Sequence, residues 1–146
     1  MSKYKTTNIG ILGGSFDPAH KGHLKITKIA IKKLKLKKVY WIITKKNPFK
    51  KKSFFSLKTR LIKIKKMIKN IKKIQVLYLD EILKTSRSID VINYISKKKK
   101  PKNIYFIVGS DILIGFHNWK SWKKIVKMTK LIVFSRRGYD RKSKES

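Results

Sequence analysis

Apolar residues in this chain fall into two alternating patterns. Short unbroken runs of strand length are separated by stretches where apolar positions recur every three or four residues. Ile9 to Leu12 predicts a first strand, and Ile26, Ile29, Ala30 and Leu34 make a helical stripe over Lys21 to Leu34. Val39 to Ile43 predicts a second, buried strand, followed by a basic loop from Thr44 to Ser56. Ser56 is suited to cap a helix whose core face is Leu57, Leu61, Ile64, Ile68 and Ile71. Ile74 to Leu79 predicts a third strand, and Ser88 is the expected cap of a helix from Ile89 to Lys97. Ile104 to Val108 predicts a fourth strand, running into Gly109-Ser110-Asp111. Short helices are expected over Ile112 to Phe116 and Ser121 to Lys127, before a fifth strand at Leu131 to Phe134.

Strands separated by helices imply parallel βαβ units with right-handed crossovers. The expected fold is α/β, a Rossmann-like doubly wound parallel sheet of about five strands with helices on both faces. Ligands of such sheets bind beyond the carboxyl ends of the strands, where the strand order reverses. For order 3-2-1-4-5 that point lies between the first and fourth strands. The domain is expected to occupy residues 1–136, with a loose polar tail over 137–146.

Composition narrows the function classes. With 146 residues the chain can bury one core, and with no cysteine it has no disulfide, thiolate metal site or cysteine nucleophile. No run is long enough to span a bilayer and the N-terminus has no signal-peptide core, so no membrane partner and a cytoplasmic location are expected. The net charge of +33 suggests polyanions. The lysines, however, run along the whole chain, and the aromatics sit inside apolar runs rather than between basic residues. Nucleic-acid binding is therefore expected, if at all, to be non-specific. A general drift toward lysine accounts for the total, and the positive field should still draw anionic small molecules to a cleft.

Against that drift, the scarce residue types are clustered. All three histidines lie in two short segments, and Gly10, Gly13, Gly14 and Gly22 surround the first of them. The run Gly13-Gly14-Ser15-Phe16-Asp17-Pro18-Ala19-His20-Lys21-Gly22-His23 sits between the first strand and the first helix. Glycines there let backbone approach a ligand, and the N–H groups and dipole of a helix start favour an anion. The run is neither a Walker A loop nor a G-x-G-x-x-G fingerprint. Its histidine pair lacks the Glu of a metalloprotease helix and leaves only His117 as a third nitrogen, so no metal site is expected.

His20-Lys21-Gly22-His23 after Gly14-Ser15-Phe16-Asp17-Pro18 resembles the H-x-G-H signature of the nucleotidylyltransferase superfamily. Further segments make the chain similar to bacterial nicotinate-nucleotide adenylyltransferases: Asn47-Pro48-Phe49-Lys50, Arg60, Ser86-Arg87-Ser88-Ile89-Asp90, Gly109-Ser110-Asp111 with Phe116 and Trp119, and Arg136. The resemblance implies transfer of AMP from ATP to nicotinate mononucleotide, giving deamido-NAD and pyrophosphate in NAD biosynthesis. It implies His20 and His23 as catalytic hydrogen-bond donors to ATP phosphates. Gly13, Gly14, Ser15, Phe16, Gly22, Gly109, Asp111 and Arg136 would bind ATP, with Mg2+ carried by its phosphates. Ser88, Trp119 and Lys50 would meet the nicotinate nucleotide, Trp119 by stacking on the electron-poor ring. Trp122 is expected to be core. Two alternatives stand beside this reading: a pantetheine-phosphate adenylyltransferase-like enzyme, and a non-catalytic basic nucleic-acid-binding domain. The family also carries an I-S-[ST]-x-x-[IL]-R segment beyond the fifth strand, absent from these 146 residues, so the domain is expected to be incomplete at its C-terminus.

Overall fold

The structure is a computed structural model that describes residues 7–45 and 53–135. Five parallel strands, β1 (Asn8–Gly14), β2 (Leu36–Ile43), β3 (Ile74–Leu77), β4 (Asn103–Gly109) and β5 (Lys130–Phe134), form one sheet in the order β3-β2-β1-β4-β5. The connections carry helices α1 (Lys21–Leu34), α2 (Leu57–Met67), α3 (Asp80–Leu83), α4 (Ser88–Lys99), α5 (Ser110–Leu113) and α6 (Trp122–Met128), with a 3-10 turn at Phe116–Asn118. The expected doubly wound sheet and its strand order are both present, and the order reverses between β1 and β4.

A parallel strand covered on both faces reads as an unbroken apolar run. Accordingly, Val39 to Ile43 of β2 is buried throughout, and Ile9, Ile11 and Leu12 of β1 are buried. One face packs α1 and α2 through Ala30, Ile64 and Ile68 onto Leu12, Val39, Trp41 and Ile43. The other packs α4 and α6 through Ile89, Ile92, Ile95 and Ile125 onto Ile9, Ile11, Tyr40, Ile42 and Phe106. Helix α1 has the bounds that periodicity predicts, and Ser56 caps α2 by accepting from the Thr59 N–H at 3.1 Å.

Several expectations change. Strand β3 ends at Leu77 rather than Leu79, because Leu79 already leads into α3, and the helix expected over Ile112 to Phe116 is instead α5 at Ser110–Leu113 followed by the 3-10 turn at Phe116–Asn118. Strand β2 begins at Leu36, because that side chain is buried and the ladder with β1 already pairs Asn8 with Leu36. Helix α3 directly follows β3 and has no periodic signal because it is a single turn. Ser88 is the first residue of α4 and not its cap; the extended residue before the helix is Arg87, which makes no side-chain capping bond. Residues 137–146, including the expected tail, lie outside the described residues. Among the described residues, no helix is long and apolar enough to cross a membrane.

One buried polar link joins the first helix to the sheet. Trp41 Nε1–H donates to Thr27 Oγ1 at 3.0 Å, and the Thr27 hydroxyl donates to the His23 carbonyl at 2.7 Å. Thr27 and Trp41 are both fully buried. Thr27→Val keeps the shape but strands the indole N–H, so a loss of about 1–3 kcal/mol is expected in urea unfolding. Thr27→Ser should retain most of the stability in the same measurement.

Candidate active site

In a βαβ unit the helix starts where the preceding strand ends, so α1, α2 and α4 all begin at the carboxyl edge of the sheet. Strands β1 and β4 are neighbours there, with Leu12 opposite Ile107. Their exits, Gly13-Gly14-Ser15-Phe16 and Gly109-Ser110-Asp111, therefore emerge side by side. A side chain added at Gly13 would meet nothing closer than the Ile42 carbonyl at 4.0 Å, so this backbone is open on one side to an incoming ligand.

Phe16 reverses the chain after β1. Its φ of 48° is left-handed, a conformation that bulky residues rarely adopt. The ring is 2% exposed and holds the turn in place by stacking on Trp41, with centroids 5.1 Å apart, and by meeting the His23 ring at 4.7 Å. The strain of such a residue is on the order of 1–3 kcal/mol, which the buried aromatic packing offsets.

The chain then enters α1 through a reciprocal cap made by two histidines. His20 Nδ1 accepts from the Gly22 N–H at 3.1 Å, and His23 Nδ1 accepts from the His20 N–H at 3.0 Å. A ring nitrogen that accepts carries no proton, so each neutral imidazole holds its hydrogen on Nε2. The two rings lie 4.0 Å apart. The cap thus satisfies orphan helix-start amides and fixes both rings as Nε2–H donors. The first turn of α1 contains no acidic residue, so the dipole's positive end is left to attract an anion.

The remaining loops are tied to this turn. The Asp17 carboxylate accepts from the main-chain N–H groups of Phe54 and Phe55. Asp80 accepts from the Lys45 N–H at 3.0 Å. Arg60 is buried and donates to the carbonyls of Ser15, Thr44, Lys45 and Phe55. Burial raises the Tyr78 hydroxyl pKa above its ordinary value, as do Asp80 and Glu81, while Arg60 acts in the lowering direction.

The structure brings Gly13, Gly14, Ser15, Phe16, His20, Gly22 and His23 together at one turn. Gly109 ends the adjacent strand, Asp111 lies in the first turn of α5 that follows it, and Ser88 begins α4 at the same edge by topology. Trp119 is half-buried, its ring 5.1 Å from Phe116 and 6.1 Å from Phe106, so one side of the indole rests on the core. Trp122 also packs on that core and is half-buried. Lys50 and Arg136 lie outside the described residues.

Sequence reasoning missed Asp17, Asp80, Thr27 and Trp41, and left Arg60 without a role. A signal for the acids was available. The chain has only seven Asp and Glu, and Asp17, Asp80, Glu81 and Asp111 each follow a strand closely. Thr27 and Trp41 look like ordinary helix and strand positions, and nothing local marks their bond.

A doubly wound parallel sheet with a histidine-capped turn at its switch point defines an α/β domain of the nucleotide-binding type. The sequence matches the family described as cytidylyltransferase-like over residues 11–146. A Pelagibacter ubique protein named "Probable nicotinate-nucleotide adenylyltransferase" is 52% identical over 97% of this chain and 78% of its own length. A Nitratiruptor protein of the same name is 34% identical over 90% of this chain and 75% of its own. The solved structure of Plasmodium falciparum nicotinic acid mononucleotide adenylyltransferase complexed with NaAD superposes with a TM-score of 0.77 at 22% identity. That superposition covers 91% of this chain and 66% of the other. The chain belongs to the cytidylyltransferase-like family and, within it, to the nicotinate-nucleotide adenylyltransferases.

The glycine between the histidines has a steric role. A Cβ at Gly22 would lie 2.8 Å from His20 Cε1 and 2.9 Å from its Nδ1. Gly22→Ala should therefore push the His20 ring aside and break its cap bond to the residue 22 N–H, a loss of about 0.5–2 kcal/mol that opposes the roughly 0.5–1 kcal/mol by which Ala is favoured over Gly in helices. A small change in melting temperature, the two effects largely offsetting, with shifted His20 ring signals in 15N NMR, is the expected result.

Proposed function

We propose that this chain transfers the adenylyl group of ATP to nicotinate mononucleotide, giving deamido-NAD and pyrophosphate. The observation that carries this reading is the reciprocal histidine cap at the β1–β4 switch point, which sets two imidazoles, their rings 4.0 Å apart, at a helix start. The names of the relatives support it at 52% and 34% identity. A phosphate oxygen of the acceptor nucleotide attacks the α-phosphorus of ATP. One phosphorus–oxygen bond forms, the bond to the β,γ-pyrophosphate breaks, and the electron pair leaves with pyrophosphate. The acceptor supplies the nucleophile, so the protein contributes position and charge stabilisation.

In this reading His20 and His23 donate to the phosphates as negative charge moves onto the leaving group. The turn at Gly13, Gly14, Ser15 and Phe16, with Gly22, seats the polyphosphate, and Gly109 and Asp111 meet the adenosine. Ser88 and Trp119 meet the nicotinate nucleotide, while Lys50 and Arg136 serve as phosphate partners. Among the described residues no group of three or more His, Asp or Glu converges. Magnesium would be coordinated through the phosphates of ATP, where it neutralises charge. The positive field of the chain favours approach of both anionic substrates.

Pyrophosphate release, measured with ATP and a panel of acceptor phosphates, tests the assignment. Turnover with nicotinate mononucleotide is expected. Turnover with pantetheine phosphate instead would reassign the acceptor. No turnover, together with salt-sensitive oligonucleotide binding, would favour the non-catalytic alternative. His20→Ala and His23→Ala should each lower kcat by about 10²–10³-fold, the usual loss for one donor to transition-state charge. Near-normal rates in both would remove them from the chemistry. Trp119→Ala should weaken nicotinate mononucleotide by about 0.5–2 kcal/mol and leave ATP little changed, as ring stacking on a cation requires. Equal losses for both substrates, with a large fall in melting temperature, would make Trp119 a core residue only.

A further inference from the structure

The basic residues of this chain are nearly all lysine. Of its 40 Lys and Arg, five are arginine: Arg60, Arg87, Arg136, Arg137 and Arg141. Arg60 is 1% exposed, while Arg87 is exposed. Burying a cation is costly unless it is well hydrogen-bonded. Arg60 engages four: Nε to the Phe55 carbonyl at 3.1 Å, one terminal nitrogen to Ser15 and Thr44 at 2.8 Å each, and the other to Lys45 at 2.6 Å.

Those acceptors belong to three separate segments. Ser15 is in the turn after β1, Thr44 and Lys45 leave β2, and Phe55 precedes α2. All four are main-chain oxygens, so they persist whatever side chains surround them. A carbonyl drawn toward Arg60 is also kept from facing a bound phosphate, which it would repel. The charge itself adds positive potential beneath the turn. The link to the histidines is short: Ser15 precedes Phe16, whose ring lies 4.7 Å from that of His23. Asp17 fastens the same assembly from the other side through the Phe54 and Phe55 N–H groups.

We propose that Arg60 is the positioning residue of this site, its guanidinium joining the β1 turn, the β2 exit and the start of α2 into one rigid seat for the reacting phosphates. The proposal rests on the phosphoryl-transfer reading above. A lysine cannot substitute. Its ammonium presents three donors from one point, whereas the four carbonyls surround a planar fork. This explains an arginine at a position where the chain otherwise uses lysine.

The test compares Arg60→Lys and Arg60→Gln with wild type and with Ile64→Val, a core change on the same helix. Turnover of ATP with nicotinate mononucleotide is measured at 20 °C, alongside melting curves and 15N NMR of the histidine rings. Folded Arg60→Lys should lose about 10²-fold in kcat, the scale of a 1 Å misplacement. Its KM values should move much less, and His23 should depart from the Nε2–H pattern. Ile64→Val should keep its kcat and ring signals despite a lower melting temperature. Wild-type kcat and unmoved histidine signals in folded Arg60→Lys would overturn the proposal. So would failure of both Arg60 variants to fold, which would make the residue purely structural. If wild type shows no turnover with any acceptor, adenylyl transfer is the claim that fails. The histidine signals still decide the positioning claim.

Discussion

The centre of this structure is a strand that must be paired on both sides. β1 hydrogen-bonds to β2 along one edge and to β4 along the other, in parallel with each. That double pairing makes it the point where the strand order reverses, and it brings two loop exits together with no helix between them. Gly10 shows how tight the centre is. A Cβ there would lie 3.0 Å from Leu36 Cδ1 and 3.3 Å from Ile107 Cδ1 and Val39 Cγ2. The apolar layers on either face follow from β1, because helices leaving its two neighbours must cover opposite sides of the sheet.

A helix start is a liability in any fold, since its first N–H groups have no partners within the helix. Here the same two imidazoles reduce that liability and create the chemistry. Each Nδ1 accepts a main-chain N–H, and this leaves the proton of each neutral ring on Nε2. Stability and function are thus coupled through one ring orientation. Phe16 supports it from below in a strained backbone conformation, and Trp41 supports Phe16. Strain placed at a ligand turn and held by buried aromatics preorganises the turn before any ligand arrives.

A chain of +33 net charge has few acids to use, and it places them where main-chain donors need acceptors. Asp17 and Asp80 accept main-chain N–H groups at loop ends, while Arg60 takes main-chain carbonyls. The lysines are spread over the surface, where position matters little because solvent screens them. Replacing surface cations by one another costs little in such a protein. Replacing Arg60 does not fall in that class, because its donors are counted and directed.

Periodicity in the sequence was enough to determine strand and helix order, the bounds of α1, the Ser56 cap and the glycine- and histidine-rich turn, because each is a local pattern of burial or hydrogen bonding. The same patterns were ambiguous for Ser88, where an extended Arg87 starts the helix one residue earlier than a serine cap would. They were silent on α3, which is too short to show a period. Tertiary structure alone decided what Arg60, Asp17, Thr27 and Trp41 do. Their partners lie between 4 and 45 residues away along the chain, and several are main-chain groups that carry no sequence identity. A local pattern can announce a cap or a turn. It cannot announce a bond whose other end is a carbonyl brought near only when the sheet has formed.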